Sequence, residues 1–244
     1  MVMRNLQAAF PEKNPEELYD ISIDFYHNFC DQVLETIKLF KASPEEISER
    51  FEVDTTVYDK LHAQGRHVLQ ATSHQFNWAW GNWILNKHTD FHIRIIYMIQ
   101  KNKKIETLVN SYRTRYGTEL IPANDLKVMM TDPENPCMTV FLADQNPSDR
   151  RRAYWTNFFE REIPFHKGLE ILARRKGHAV VFDEMIRVKR GRYKSVSKLA
   201  FEDGSKTSEG EITEAYVRFL EDSISRQPEN WMWTHNRWKH ARQS

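Results

Sequence analysis

The chain has 244 residues, of which 40% are hydrophobic and 28% are charged, and its formal net charge is +1. This length supports one substantial core, and the near-zero charge does not favour nucleic acid as a partner. Cys30 and Cys137 are far apart, and the ten histidines lack zinc-ligand spacing, so we expect reduced thiols and no metal site.

Membrane-spanning and secretory segments are not expected. No apolar run approaches the roughly 18–20 residues needed to cross a bilayer. The start of the chain lacks the apolar region of a signal peptide. The sequence therefore predicts a soluble chain, although its many aromatic residues beside charged ones also suit contact with a membrane surface.

The first third of the chain is expected to be helical. Asn14 precedes Pro15 and two glutamates, the pattern of an N-cap and a first helical turn. Apolar residues then recur at helical spacing up to Lys41. Ser43 begins a second, shorter helix with the pattern of a capping box. Residues 1–60 are thus predicted to form a helical lead-in.

From residue 67 onward, short apolar runs alternate with helical patterns. Four runs are expected to be buried strands, at residues 68–73, 91–99, 138–143 and 179–182. The helical candidates are residues 78–86, 105–112, 124–130, 167–175 and 211–225. This alternation predicts an α/β fold, a single-domain αβα sandwich over residues 1–244 with a mixed, largely parallel central sheet.

His74 directly follows the first of these expected strands. Reactive groups of α/β proteins collect at the C-terminal ends of strands, and the ordinary pKa of histidine suits a general base. A histidine in this position is, however, more often a structural hydrogen-bonding residue. Position alone leaves both interpretations open.

The residues around His74 resemble a known motif. Residues 73–83 (SHQFNWAWGNW) are similar to the H-x-x-N-W-E segment of the bacterial lipid A late acyltransferases, a branch of the glycerolipid acyltransferase superfamily. Further similar segments follow in the family's order: NLQAAFPE at 5–12, FYHNF at 25–29, RTRYG at 113–117, Asp144-Gln145, and WTHNRWK at 233–239. The resemblance covers nearly the whole chain and implies a glycerolipid acyltransferase-like sandwich.

The resemblance implies an enzyme that moves a fatty acyl group from acyl carrier protein to a hydroxyl or amine of a membrane lipid, such as a lipid A precursor. It implies no cofactor, no metal and no nucleic acid, and it places the enzyme at the cytoplasmic face of the bacterial inner membrane, with the membrane surface as a partner. Related proteins carry an apolar anchor just before the NLQAAFPE segment, so such an anchor is expected to be missing here. Basic clusters at residues 150–152, 174–176 and 187–194 suit the acidic carrier protein, although any one cluster is more often a solvated face.

Site roles are carried over from the family residue by residue. His74 is the expected base, and Arg115 is expected to stabilise the oxyanion of the tetrahedral intermediate, with Arg113 as the alternative. The remaining matched residues are expected to bind substrate or shape its pocket: Asn77, Trp78, Asp144, Gln145 and Arg237. Simpler explanations stay open, namely surface charge for Arg113 and Arg115 and structural hydrogen bonding for Asp144 and Gln145.

The largest departure from the family motif is Ala79, which stands where the family carries the acid of its histidine dyad. A carboxylate would fix the imidazole tautomer and stabilise the imidazolium, and an alanine methyl does neither. Three explanations are open: an engineered inactivating change, a natural loss of activity, or a dyad using an acid from elsewhere. Because the surrounding motifs are intact, the sequence favours an engineered, catalytically impaired acyltransferase.

Three other functional classes can be weighed against the same sequence. A natural pseudoenzyme that binds lipid or acyl carrier protein without turnover is the main alternative. Asn236 replaces the first arginine of the closing motif, and Gln75-Phe76 replaces Phe-Gly, so the acceptor can differ from lipid A. Nucleic-acid binding through the basic, aromatic tail is disfavoured by the net charge, and a serine hydrolase is disfavoured because the chain has no G-x-S-x-G motif.

Overall fold

Helices and strands alternate through residues 1–242, the part of the chain that the computed structural model describes. The helices are α1 (Val2–Ala9), α2 (Pro15–Lys38), α3 (Pro44–Ser48), α4 (Thr56–Ala63), α5 (Trp78–His88), α6 (Lys103–Arg113), α7 (Leu126–Met129), α8 (Gly168–Lys176) and α9 (Glu211–Arg226). The strands are β1 (Phe51–Val53), β2 (Val68–Thr72), β3 (His92–Tyr97), β4 (Glu119–Pro122), β5 (Cys137–Leu142), β6 (Tyr154–Phe158), β7 (Arg161–Phe165), β8 (Ala179–Lys189) and β9 (Arg192–Phe201).

The main sheet has seven strands in the order β1-β9-β8-β2-β5-β3-β4. Every neighbouring pair in it is parallel except β8 and β9, which form an antiparallel hairpin. This confirms the mixed, largely parallel sheet predicted from the sequence. The strands β1, β4, β6, β7 and β9 are additional to the expected four; each is short or partly polar, and so lacks the apolar run that marks a buried strand.

Alternate residues of β2 face the two layers of helices. Leu69 and Ala71 pack in one apolar cluster that includes residues of α1, α8 and α9. Val68 packs on the other side of the sheet, with Tyr58 of α4 and Leu85 of α5. This alternation follows from the two-residue period of a strand. It makes the αβα sandwich and confirms the predicted fold class.

The helical lead-in starts as the sequence predicts. Asn14 accepts hydrogen bonds from the backbone N–H groups of Glu16 and Glu17, and the Glu17 carboxylate accepts one from the Asn14 backbone N–H, which completes a capping box. Ser43 caps α3 by accepting from the Glu46 backbone N–H. Within residues 1–242, the structure has no helix with the length and apolar character of a membrane span.

Candidate active site

His74 and Asp144 form a close pair at the C-terminal edge of the sheet. The strands β2 and β5 are parallel neighbours in which Thr72 is paired with Leu142. The residues two positions further along, His74 and Asp144, therefore lie side by side. Nδ1 of His74 is 2.7 Å from Oδ1 of Asp144, and the His74 backbone N–H donates to Oδ2 at 3.0 Å. One carboxylate thus holds both the imidazole ring and the loop that carries it.

Asp144 is an ionised acceptor. Only 1% of the residue is exposed, and a third donor, the Trp231 Nε1–H, reaches Oδ2 at 2.8 Å. Burial raises the pKa of this carboxyl, but the charge of His74 and the hydrogen bonds from His74 and Trp231 outweigh burial and lower the pKa to about 2. Because Asp144 can only accept at neutral pH, a neutral His74 carries its hydrogen on Nδ1 and keeps an electron pair on Nε2.

The second imidazole nitrogen of His74 faces Gln145. Nε2 of Gln145 lies 3.4 Å from Nε2 of His74, too far for a strong hydrogen bond. Both side chains line a cavity of about 250 Å³. A substrate hydroxyl entering the cavity can therefore displace the weak Gln145 contact and be deprotonated by Nε2.

The cavity lies between α5 and the sheet and is largely apolar away from His74. From α5 it is lined by Trp78, Gly81, Asn82 and Leu85, whose spacings of three and four residues place them on one helix face. From the sheet it is lined by Gln70, Thr72, Ile95, Val140, Leu142 and Met185. Such a cavity suits a ligand with an apolar chain and a polar end beside the histidine.

The two candidate arginines point to different places. Arg113 lines the cavity, with its guanidinium 5.9 Å from the ring centre of Trp78. That indole is edge-on to His74, with ring centres 5.2 Å apart. Arg115 instead donates from Nη1 to two backbone carbonyls just past the end of α2, both at 3.3 Å. The structure thus brings Arg113, the alternative from the sequence, rather than Arg115, to the histidine side of the cavity.

Asn77 and Ala79 lie at the start of α5. Asn77 is fully buried, and its Nδ2 donates to Glu35 Oε2 of α2 at 2.9 Å; the same oxygen accepts from the Tyr193 hydroxyl at 2.6 Å. Ala79 is 5% exposed and lies in the cavity wall. Asn77 therefore ties the loop that carries His74 to α2, and the acid that contacts His74 follows the end of β5.

Arg237 is completely buried and reaches the cavity only through another side chain. Nη1 donates to Asn146 Oδ1 at 2.6 Å, Nη2 donates to the Pro164 carbonyl at 3.0 Å, and the guanidinium lies 4.2 Å from the ring centre of Phe165. Burial lowers the pKa of Arg237 to about 9, against the opposing effect of the Asp144 charge. Because Asn146 lines the cavity, Arg237 positions the lining and does not itself form it.

Two residues of the site were missed by sequence reasoning. Trp231 binds the Asp144 carboxylate, and the adjacent Met232 backbone N–H donates to the His74 carbonyl at 3.1 Å. Glu35 holds Asn77. Trp231 belongs to the tryptophan-rich tail, which was a usable signal, whereas nothing in the local pattern of α2 distinguishes Glu35 from an exposed helix residue.

A histidine–carboxylate pair at one end of an apolar cavity is an arrangement that suits acyl transfer, since it offers a base beside space for a hydrocarbon chain. The chain matches the family model of the bacterial lipid A biosynthesis acyltransferases over residues 1–240. It belongs to this family, which confirms the resemblance drawn from its motifs and implies a lipid acceptor. No curated protein matches the chain.

Proposed function

We propose that the chain transfers a fatty acyl group from the thioester of acyl carrier protein to a hydroxyl or amine of a lipid such as a lipid A precursor, with His74 as base and Asp144 as the acid that orients it. The observation that carries the proposal is the 2.7 Å contact of Asp144 with Nδ1 of His74, since Nε2 then faces the cavity as a proton acceptor. Family membership supports the acyl chemistry.

The reaction follows from this geometry. Nε2 of His74 takes the proton of the acceptor hydroxyl while the acceptor oxygen attacks the thioester carbonyl. Arg113 stabilises the oxyanion of the tetrahedral intermediate, and Asp144 stabilises the imidazolium. The C–S bond then breaks, and the proton passes from Nε2 to the departing sulfur, so that the products are the acylated lipid and the free thiol of the carrier protein.

The apolar part of the cavity is the proposed site of the acyl chain. Leu85, Ile95, Val140 and Met185 offer hydrocarbon contacts beyond the histidine. Burying the chain there removes apolar surface from water and fixes the thioester near Nε2. In this arrangement the acceptor approaches from the side of Gln145 and Arg113.

The His74–Asp144 contact favours the third explanation of Ala79, a dyad that uses an acid from elsewhere. We propose that the chain turns over through this pair but remains impaired, because the carboxylate that the family carries at position 79 would add negative charge to the cavity wall near the imidazolium. Ala79 is also the one feature that supports the second candidate function, a protein that holds lipid or acyl carrier protein without turnover.

An acyl-transfer assay tests the proposal in the unaltered chain and in three variants. Acyl carrier protein thioesters serve as donors, a panel of lipids serves as acceptors, and mass spectrometry measures the acylated lipid. We expect measurable transfer by the unaltered chain and loss of it in His74→Ala. Asp144→Asn should lower kcat by roughly 10²- to 10⁴-fold, because an amide does not stabilise the imidazolium. Ala79→Glu should raise kcat about tenfold or more.

His27→Ala is the matched control, since His27 is an exposed histidine on α2, and this variant should behave as the unaltered chain. Full activity of His74→Ala would disprove the proposal. Absence of turnover in every form, together with co-purified lipid, would establish the binding protein instead.

A further inference from the structure

Helix α6 lies beside the cavity, yet none of its eleven described residues is buried. Ile105 and Leu108 are 50% and 53% exposed. The loop before the helix adds Met98 and Ile99, which are 62% and 56% exposed. Four large apolar side chains in one short segment need a nonpolar environment that the described part of the chain does not provide.

The apolar surface continues onto the C-terminal end of α2. Tyr112 of α6, one turn beyond Leu108, packs edge-on against Phe40 with ring centres 5.5 Å apart. Phe40 itself is 37% exposed, and Ile37 before it is 60% exposed. We call this continuous surface the apolar rim; its members are Ile37, Phe40, Met98, Ile99, Ile105 and Leu108.

The rim is bordered by positive charge. Lys101, Lys103 and Lys104 lie between Ile99 and Ile105 and are all exposed. The acid in the first turn of α6, Glu106, is held by two hydrogen bonds of 2.8 Å: it accepts from the Gln100 backbone N–H in the preceding loop and from the Asn110 side chain one turn further along α6. Exposed apolar residues flanked by lysines are the composition of a helix that lies in the interface of an anionic bilayer.

The apolar rim adjoins the cavity lining. Met98 belongs both to the rim and to the cavity lining, and Gln100, Tyr112 and Arg113 line the cavity from the same segment. A lipid lying in a bilayer against the rim would therefore present its headgroup beside Arg113 and His74. Contact of these apolar residues with a soluble partner would not bring a lipid headgroup to His74.

We propose that the apolar rim inserts into the interface of an anionic bilayer and opens the cavity at the depth of the lipid headgroups. This inference rests on the proposed function in one respect, namely that the acyl acceptor is a membrane lipid. The insertion itself requires no turnover.

Vesicle co-sedimentation tests the proposal with the triple variant Ile99→Ser/Ile105→Ser/Leu108→Ser. The unaltered chain should bind vesicles of phosphatidylethanolamine and phosphatidylglycerol. The triple variant should bind them at least about tenfold more weakly, because withdrawing apolar side chains from the interface costs free energy. A lysine variant, Lys101→Gln/Lys103→Gln/Lys104→Gln, should lose roughly fivefold in affinity for each charge removed.

The matched control is Ile171→Ser/Val188→Ser, which removes side chains that are 41% and 59% exposed elsewhere on the surface. Thermal unfolding of all forms checks that the substitutions leave the fold intact. Vesicle binding by the triple variant equal to that of the unaltered chain, or an equal loss in the control, would overturn the proposal. So would a triple variant that loses binding to acyl carrier protein while keeping its binding to vesicles.

A second assay separates this inference from the proposed function. With an acceptor dispersed in detergent, the triple variant should transfer acyl groups as the unaltered chain does, while transfer to acceptor in vesicles should fall. If the unaltered chain transfers to no acceptor, the proposed function fails, and vesicle binding still decides the role of the rim.

Discussion

Two buried aspartates hold their protons very differently. Burial raises the pKa of both carboxyls, as expected for charge placed in a poorly polarisable interior. Asp144 has a chargeable partner in His74, and its pKa falls to about 2. Asp183 has the hydroxyls of Ser195 and Ser197 within 2.5 Å and 2.6 Å, and its pKa rises from 3.8 to about 7. Neutral hydroxyls do not replace the attraction of a cation.

The pKa of Asp183 makes stability depend on pH. Between about pH 4 and pH 7 the unfolded aspartate is ionised while the folded one keeps its proton, so the unfolded state binds fewer protons. The free energy of unfolding should therefore fall as pH rises through this range and level off above about pH 7.

Asp183→Asn removes this titration and keeps a carbonyl oxygen for both serines. We expect the melting temperature of the variant to vary less than that of the unaltered chain between about pH 4 and pH 7, as measured by thermal unfolding in matched buffers. If the melting temperatures of the two proteins changed equally with pH, the prediction would be contradicted. Glu160→Gln, an exposed substitution of the same kind, serves as the control.

At the scale of the element, α5 forms one wall of the cavity because its lining residues recur every three or four positions. Gly81 faces Met185 of β8 across this wall. A Cβ at Gly81 would lie 2.5 Å from the terminal methyl of Met185, so any larger residue must push that side chain aside. Both residues line the cavity, and the space they leave is available to a substrate chain.

Gly81→Ala should therefore shift the preference of the enzyme toward shorter acyl chains. The added methyl and the displaced Met185 take space from the apolar part of the cavity, and overfilling a packed region is unfavourable by roughly 1–3 kcal/mol. The measurement is the product distribution from an equimolar series of acyl carrier protein thioesters. Gly168→Ala adds the same methyl in α8, 4.0 Å from its nearest neighbour, Phe141, and should leave the distribution unchanged. If Gly81→Ala gave the same distribution of acyl-chain lengths as the unaltered protein, the acyl chain would not bind in this part of the cavity.

At the scale of the whole molecule, two surfaces adjoin the residues that line the cavity. One is the apolar rim. The other is the short 3-10 helix Arg150–Arg152, which follows the lining residues Asn146 and Ser148 in the chain. Arg151 and Arg152 have side chains that are 90% and 85% exposed, and both pair with Asp149, at 3.2 Å and 3.9 Å. Three arginines beside one aspartate leave this turn with a net positive charge, which suits an acidic partner. For the proposed reaction we therefore predict that acyl carrier protein docks at these arginines while the bilayer contacts the apolar rim.

Arg151→Glu/Arg152→Glu should raise the KM for the acyl carrier protein thioester roughly tenfold, since opposite charges no longer guide association. The kcat should stay unchanged, and added salt should narrow the difference from the unaltered chain. Steady-state kinetics at two ionic strengths gives both values. Arg175→Glu, an exposed basic residue of α8, should leave KM unchanged; an equal rise there would argue against a specific docking site.

Local patterns determined much of the fold. The capping residues Asn14 and Ser43 begin helices where the sequence predicts, because a side chain that caps a helix lies within a few positions of the backbone it serves. The alternation of apolar runs with helical patterns predicts the α/β sheet, since strand and helix periods are legible in short windows. His74 is likewise found at a strand end.

Only the tertiary structure decided which residues meet. The order of strands places β2 beside β5, and this brings Asp144 rather than a residue of α5 to Nδ1 of His74. Arg113, the last residue of α6, lines the cavity, whereas Arg115 bonds to the backbone just past the end of α2. Such contacts join residues some 70 positions apart, and no local period encodes them. The sequence by itself determined the main helices, the four apolar strands and the candidate base, because their patterns are local. Only packing determined the short or partly polar strands and the carboxylate partner of His74.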